Sequence, residues 1–73
     1  MAKKGSGTVY RVTEVIGTSA NSWEDAARNA VQTAARTIRD LRVAEVTKTD
    51  LVIENGKVTA FRARVSLSFK YDA

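Results

Sequence analysis

The chain has 73 residues, of which 44% are hydrophobic, and it carries a formal net charge of +4. It contains neither Cys nor His, which excludes disulfides, thiolate metal sites and the commonest general base. A domain of this size buries too little surface to be comfortably stable alone. Oligomerisation, or a metal held by oxygen ligands, is therefore the remaining means of stabilising the fold.

Residues 1–8 are predicted to form a flexible tail, because they contain Lys3 and Lys4 among small residues and lack the apolar stretch of a signal peptide. Residues 9–73 are predicted to form a single domain. The sequence has no run of about 18 apolar residues, so we expect no membrane span and a cytoplasmic location.

The first predicted strand covers residues 9–18, where β-branched and aromatic residues dominate. Its alternation is imperfect, because Glu14 lies on the same face as Tyr10, Val12 and Ile16. The polar residues that follow are predicted to form a turn leading into a helix.

A helix is predicted from Ser22 to Asp40. Ser22 suits the N-cap position, and Asp25 stands three residues on, as in a capping box. We interpret Trp23 as a packing residue, either an anchor for the helix start or a subunit contact. The apolar residues recur with a period of about 3.6: Trp23, Ala27, Ala30, Val31, Ala34, Ile38 and Leu41.

Two long strands are predicted over residues 42–54 and 57–71, joined at Asn55-Gly56, a pair typical of a two-residue hairpin turn. From Val58 to Tyr71 the apolar and polar residues alternate almost without a break. A strand of about 13 residues spans about 43 Å, whereas a helix of about 18 residues spans about 27 Å. One helix cannot cover such a sheet, so we expect other copies of the chain to bury the remainder.

The order of the predicted elements is β-α-β-β. A helical crossover leaves the first two strands pointing the same way, and the hairpin makes the third strand opposite to both. If the third strand lies between the other two, the sheet is antiparallel throughout. The predicted fold class is therefore α+β, with a three-stranded antiparallel sheet partly wrapped around one helix.

Several segments, in this order and spacing, resemble the dodecin family. They are Tyr10 to Ser19, which reads Tyr-Arg-Val-Thr-Glu-Val-Ile-Gly-Thr-Ser, the helix with Ala30-Val31, and the turn from Glu54 to Val58. The resemblance covers residues 9–71. Dodecins are small βαββ proteins that form hollow, roughly spherical homododecamers. The resemblance implies that this chain assembles in the same way and binds a small ligand or an ion.

The best-known dodecins bind flavin, and the resemblance places their pocket at Val43, Glu45 and Arg62. The Trp that stacks on the isoalloxazine ring falls on Val43, and a Gln that contacts the ring falls on Arg62. Val has no π face, so the stacking interaction is lost. Arg62 offers a guanidinium for stacking or for a phosphate. The substitutions argue against the usual stacked-flavin site and leave an altered pocket for FMN, riboflavin or FAD as an alternative.

A second branch of the family, to which calcium dodecin belongs, is similar at Ser22-Trp23-Glu24, Arg42-Val43-Ala44 and Ser68-Phe69-Lys70. Calcium binding is implied by this resemblance. Calcium takes about six to eight oxygen ligands, and the sequence contains no EF-hand loop. A site would therefore gather carboxylates and carbonyls from several subunits, and Glu14 and Asp50 are the candidate metal ligands.

The charged residues of the long strands leave alternatives open. Arg62, Arg64 and Lys70 share one face, which is either an anion-binding stripe or a solvated face with salt bridges between subunits, for example to Glu14 or Glu45.

Asp50 lies in the middle of a strand, where Asp is depleted, so it is expected to have a partner. Lys48 is the simpler candidate, and a cation at a symmetry interface is the alternative.

Two other function classes compete with a ligand-binding shell. A nucleic-acid-binding module would use the basic sheet face, but that face lacks paired aromatic side chains for base stacking. An enzyme would have to work without His or Cys, and no nucleophile elbow, phosphate loop or close carboxylate pair is visible. We therefore expect a non-enzymatic protein that stores or buffers a small molecule or ion and whose main partner is itself.

Overall fold

The computed structural model describes residues 7–71. Its two antiparallel strand pairings give the sheet order β1-β3-β2, with the third strand in the centre. The predicted β-α-β-β fold with an antiparallel sheet is therefore confirmed. The elements are β1 (Tyr10–Ser19), α1 (Trp23–Ala34), β2 (Leu41–Glu54) and β3 (Lys57–Lys70).

The predicted tail, residues 1–8, lies outside the described residues except for Gly7 and Thr8, which are both exposed. Residues 72–73 of the predicted domain also lie outside them. In the described part of the chain, α1 is too short and too polar to cross a membrane.

The helix packs closely on the sheet because small residues form the contact. Gly17 of β1 lies directly beneath the helix, where a Cβ would come within 2.0 Å of the carbonyl oxygen of Ala26. Ala26 was not part of the predicted stripe, yet it is fully buried. The buried core consists of Ala26, Ala30 and Ala34 from α1 and Ala63, Val65 and Leu67 from β3.

The predicted N-cap is confirmed, but the capping box is only half formed. The Ser22 hydroxyl accepts a hydrogen bond from the backbone N–H of Asp25 at 3.0 Å. The Asp25 carboxylate accepts from the hydroxyl of Ser19 at 2.7 Å instead of reaching back to Ser22. That hydroxyl also accepts from the backbone N–H of Asn21 at 2.9 Å. The end of β1 and the start of α1 are thereby joined by one buried serine.

The helix ends at Ala34, and the predicted end at Asp40 is wrong. After Ala34 the chain forms a tighter turn, in which the backbone N–H of Thr37 donates to the carbonyl of Ala34 at 3.1 Å. Asp40 adopts a positive φ of 59°. Its carbonyl accepts a hydrogen bond from the backbone N–H of Lys70 at 3.2 Å. Asp40 is therefore bonded to β3 and lies outside the helix that the periodicity favours.

The sheet extends well beyond the helix, as expected, and the molecule measures 60 × 21 × 16 Å. The pairing of β1 with β3 ends where Ser19 faces Phe61. Residues 52–60 therefore project as a two-stranded hairpin. Ile53 and Val58 on this projection are 64% and 53% exposed. The chain alone leaves a large apolar surface uncovered.

Two local features decide how β2 and β3 face each other. Asn55 and Gly56 both have positive φ, 53° and 75°, as the predicted two-residue turn requires. Between Val46 and Lys48 the register shifts by one residue, and the hydroxyl of the intervening Thr47 donates to the Arg64 carbonyl at 3.2 Å. Such a bulge moves the following residues to the other face of the sheet.

Candidate functional site

All of the predicted site residues lie on the sheet face turned away from α1, which we call the open face. Because Ala63, Val65 and Leu67 point into the core beneath the helix, the residues between them on β3 point to the open face. Directly opposed residues of an antiparallel sheet share a face. The register therefore gives four cross-strand rows: Val12–Ser68–Val43, Glu14–Ser66–Glu45, Ile16–Arg64–Lys48 and Thr18–Arg62–Asp50.

Asp50 and Arg62 form a two-pronged ion pair. Arg62 donates from Nε to Oδ1 and from Nη2 to Oδ2 of Asp50, both at 2.8 Å. The prediction that Lys48 is the partner of Asp50 is therefore wrong, because the bulge at Thr47 aligns Asp50 with Arg62 instead. Hydrogen bonding by Arg62 holds the pKa of the Asp50 carboxyl below its ordinary value, against a smaller opposing effect of desolvation.

The ion pair joins two residues that were predicted to belong to different sites, a metal site and a flavin pocket. Both carboxylate oxygens of Asp50, a candidate metal ligand, already accept hydrogen bonds from Arg62. The guanidinium of Arg62, a candidate pocket residue, is held by the same two bonds, and Asp50 raises its pKa. A metal at Asp50, or a ligand ring on Arg62, would have to compete with the other member of the pair.

Trp23 fixes the start of α1 to the same part of the sheet. Its indole Nε1 donates to the backbone carbonyl of Asp50 at 3.0 Å. Its ring meets that of Phe61 edge-on, with centroids 5.2 Å apart and planes at 78°. Trp23 is 41% exposed. The interpretation of Trp23 as a packing residue is confirmed, in the form of an anchor for the helix start.

Glu14 and Glu45 flank Ser66 in one row of the open face. Their strands are separated by β3, so their backbones lie about 10 Å apart. Within residues 7–71 neither carboxylate forms an ion pair. No group of three or more acidic residues in this part of the chain is close enough to hold a metal. The oxygen chemistry suits calcium, but one chain supplies too few donors.

The row containing Val43 does not fit a stacked flavin. Val12 and Val43 flank Ser68 and are 62% and 58% exposed, so the row offers apolar surface but no ring. Among the described residues, Tyr10 is the aromatic side chain on the open face, and it lies opposite Lys70 near the end of β3. Within the described chain, this row therefore supplies no aromatic ring for stacking on a flavin.

A concave surface lies beside the edge strand β1. A groove of about 640 Å³ runs between α1 and β1. It is lined by uncharged residues, including Asn29, whose side-chain amide donates to the carbonyl of Thr18 at 3.0 Å. None of the predicted site residues lines this groove, so the open face remains the candidate site.

Comparison with known proteins agrees with this fold. The family model described as Dodecin matches residues 9–72. The chain belongs to the dodecin family. A curated relative, calcium dodecin from Mycobacterium tuberculosis (strain ATCC 25618 / H37Rv), is 45% identical over 64 residues, which cover 86% of this chain and 89% of the relative.

Two solved dodecin structures have the same fold as this chain. Dodecin from Streptomyces coelicolor is 40% identical and superposes with a TM-score of 0.84, covering 94% of this chain and 99% of that one. The calcium dodecin of Mycobacterium tuberculosis, described as a calcium-chelating immunodominant antigen with a novel calcium-binding site, is 42% identical with a TM-score of 0.78. That match covers 89% of this chain and 93% of that one. The similarity to both the family and its calcium-binding branch, inferred from the sequence, is confirmed.

Proposed function

We propose that the chain is the subunit of a hollow homododecamer that stores or buffers a small ligand, without catalysis, and that calcium is that ligand. The observation that carries the proposal is the open face, which stays uncovered in the single chain although one end of it carries large, exposed apolar side chains. The 45% identity between this chain and a calcium dodecin supports the choice of ion.

The apolar part of the open face has the character of an interface. Tyr10, Val12 and Val43, which lie together at one end of the open face, are 49%, 62% and 58% exposed. Large contiguous apolar patches are uncommon on monomers and mark interaction surfaces. A closed symmetric assembly would cover such a patch with the same patch of a neighbouring copy.

We propose Glu14 and Glu45 as calcium ligands, with oxygens of neighbouring subunits completing the site. Both carboxylates are outside the ion pairs of the described residues. Asp50, the other candidate metal ligand, is held by Arg62 and contributes in this proposal to the fold of the sheet. Symmetry axes bring identical rows together, so a row with two carboxylates per chain can reach the number of oxygens that calcium needs.

The assembly is tested by native mass spectrometry of the purified full chain. Twelve subunits of 8.0 kDa each give a species of about 96 kDa. A monomer or dimer at micromolar concentration would contradict the assembly and with it any ligand site built between subunits.

The ion is tested by calorimetric titration with calcium of the wild type, Glu14→Gln, Glu45→Gln and the control Glu54→Gln, which changes an exposed carboxylate at the hairpin turn. We expect either substitution in the row to weaken calcium binding roughly tenfold or more, since a charged ligand is lost, and the control to bind as the wild type does. Equal binding by all four proteins would contradict the assignment of Glu14 and Glu45.

A further inference from the structure

Adjacent rows of the open face differ in their charge. In one, Asp50 and Arg62 face each other and form the two-pronged ion pair. In the next, Lys48 directly faces Arg64, so that two cations are opposed across β2 and β3. Like charges directly opposite each other destabilise an antiparallel sheet. The Lys48–Arg64 row therefore has an energetic cost that its neighbour does not have.

A specific irregularity of the backbone creates this opposition. In a regular ladder continuing from the pair Val46–Val65, Thr47 would face Arg64 and Lys48 would turn towards the helix side. The bulge leaves Thr47 bonded through its hydroxyl to the Arg64 carbonyl and brings Lys48 to the position opposite Arg64. Bulges are often found where a strand must re-aim a side chain next to a functional site.

Nearby carboxylates do not neutralise the two cations within the described residues, where neither Lys48 nor Arg64 forms an ion pair. Glu14 and Glu45 belong to the next row, and among the described residues neither forms an ion pair with Lys48 or Arg64. The charge of Arg64 helps to lower the pKa of Asp50, but both carboxylate oxygens of Asp50 accept hydrogen bonds from Arg62. The two opposed cations are therefore available to an anion from outside the chain.

We propose that Lys48 and Arg64 form a binding site for a phosphate group. Arg presents a planar set of N–H donors that matches tetrahedral oxyanions, and Lys adds a compact positive charge. A bound phosphate would replace the repulsion across the row by two attractions. Ile16 completes the row on β1 and is 47% exposed, so it offers apolar surface to the organic part of a phosphate ester. This site is independent of the calcium proposal, which uses carboxylates.

The experiment measures binding of inorganic phosphate and of phenyl phosphate to the full chain, by calorimetry at constant ionic strength with chloride as the balancing anion. The variants are Lys48→Met, Arg64→Met and the control Lys57→Met, which removes an exposed cation next to the hairpin turn. We expect saturable phosphate binding by the wild type and the control, and a loss of roughly tenfold or more in Lys48→Met and Arg64→Met. Tighter binding of phenyl phosphate identifies an ester lying against Ile16, and equal binding identifies the free ion.

A charge-reversal variant provides a second test that does not depend on the loss of a contact. Lys48→Glu would give the row the same opposite charges as the Asp50–Arg62 row. We expect this variant to melt at a temperature no lower than that of the wild type and to lose its response to phosphate. Absence of saturable binding by the wild type, or an equal loss in Lys57→Met, would overturn the proposal. Persistent phosphate binding by Lys48→Glu would do the same.

Discussion

Asp50 uses its side chain and its backbone on opposite sides of the sheet. On the open face its carboxylate is held by Arg62, and towards the helix its carbonyl accepts the indole N–H of Trp23. The same residue thus connects the start of α1, the edge strand β2 and the central strand β3. This explains on physical grounds why an acidic residue is accommodated in the middle of a strand, where it is normally depleted.

Because of the ion pair between Asp50 and Arg62, we expect the stability of the fold to depend on pH. Arg62 lowers the pKa of Asp50 in the folded chain, so the stabilisation is fully present above the unfolded pKa and is lost as the pH falls through the folded value. We expect Asp50→Asn to be less stable than the wild type in urea at neutral pH, and the difference to disappear in strong acid. Because the pair is exposed, the difference is small.

Carbon-detected NMR titration gives the direct readout for this pair. The Asp50 carboxyl of the wild type should titrate below its ordinary pKa, and that of Arg62→Gln should return towards it. An unshifted Asp50 in the wild type would show that the pair does not form in solution.

At the scale of elements, the contact between α1 and β1 depends on the absence of a side chain at one position. Gly17 brings β1 so close to the helix that a Cβ would also lie 2.8 Å from the Cβ of Ala30. The nearest obstacle is the backbone of Ala26, which cannot rotate away as a long side chain could. The helix can therefore accommodate a side chain at this position only by moving as a whole.

We predict that Gly17→Ala lowers the free energy of unfolding by about 3 kcal/mol, because overpacking against backbone forces the helix off the sheet. The matched control is Gly7→Ala, since a Cβ there meets nothing within 4 Å. It should change stability by no more than about 0.5 kcal/mol. Chemical denaturation followed by far-UV circular dichroism measures both. A Gly17→Ala protein as stable as the control would contradict the close packing.

The strands were predictable from the sequence to within one residue at each end, because alternation and the Asn55-Gly56 turn are local signals. The early end of α1 was not predictable, because Asp40 is held by a backbone hydrogen bond from Lys70 of β3, which is distant along the chain. The bulge at Thr47 also has no local signal, and it decides which residue faces which. The site residues could therefore be assigned to a face from the sequence, but the partners Asp50–Arg62 and Lys48–Arg64 required the register.

At the scale of the whole molecule, the elongated shape leaves the single chain with a sheet that its helix cannot cover. Val12 and Val43 face outward in one row at the apolar end of the open face. We predict that Val12→Lys prevents the full assembly, because it would place a charge in a surface that neighbouring copies bury. Val12→Thr, which keeps the shape without a charge, should still assemble.

Size-exclusion chromatography with light scattering distinguishes these two variants. We expect Val12→Lys to elute as species smaller than the wild type at the same micromolar concentration. A full-sized assembly of Val12→Lys would mean that the apolar end of the open face is not an interface between subunits.

The central position of β3 also determines the order in which the chain can fold. β2 and β3 are joined by a two-residue turn, so the hairpin can close within microseconds. β1 must wait for a strand that follows it by most of the chain, because Tyr10 pairs with Lys70. Closing so long a loop costs more conformational entropy and slows folding. During synthesis, β1 and the alanine face of α1 therefore stay without a sheet until β3 has left the ribosome.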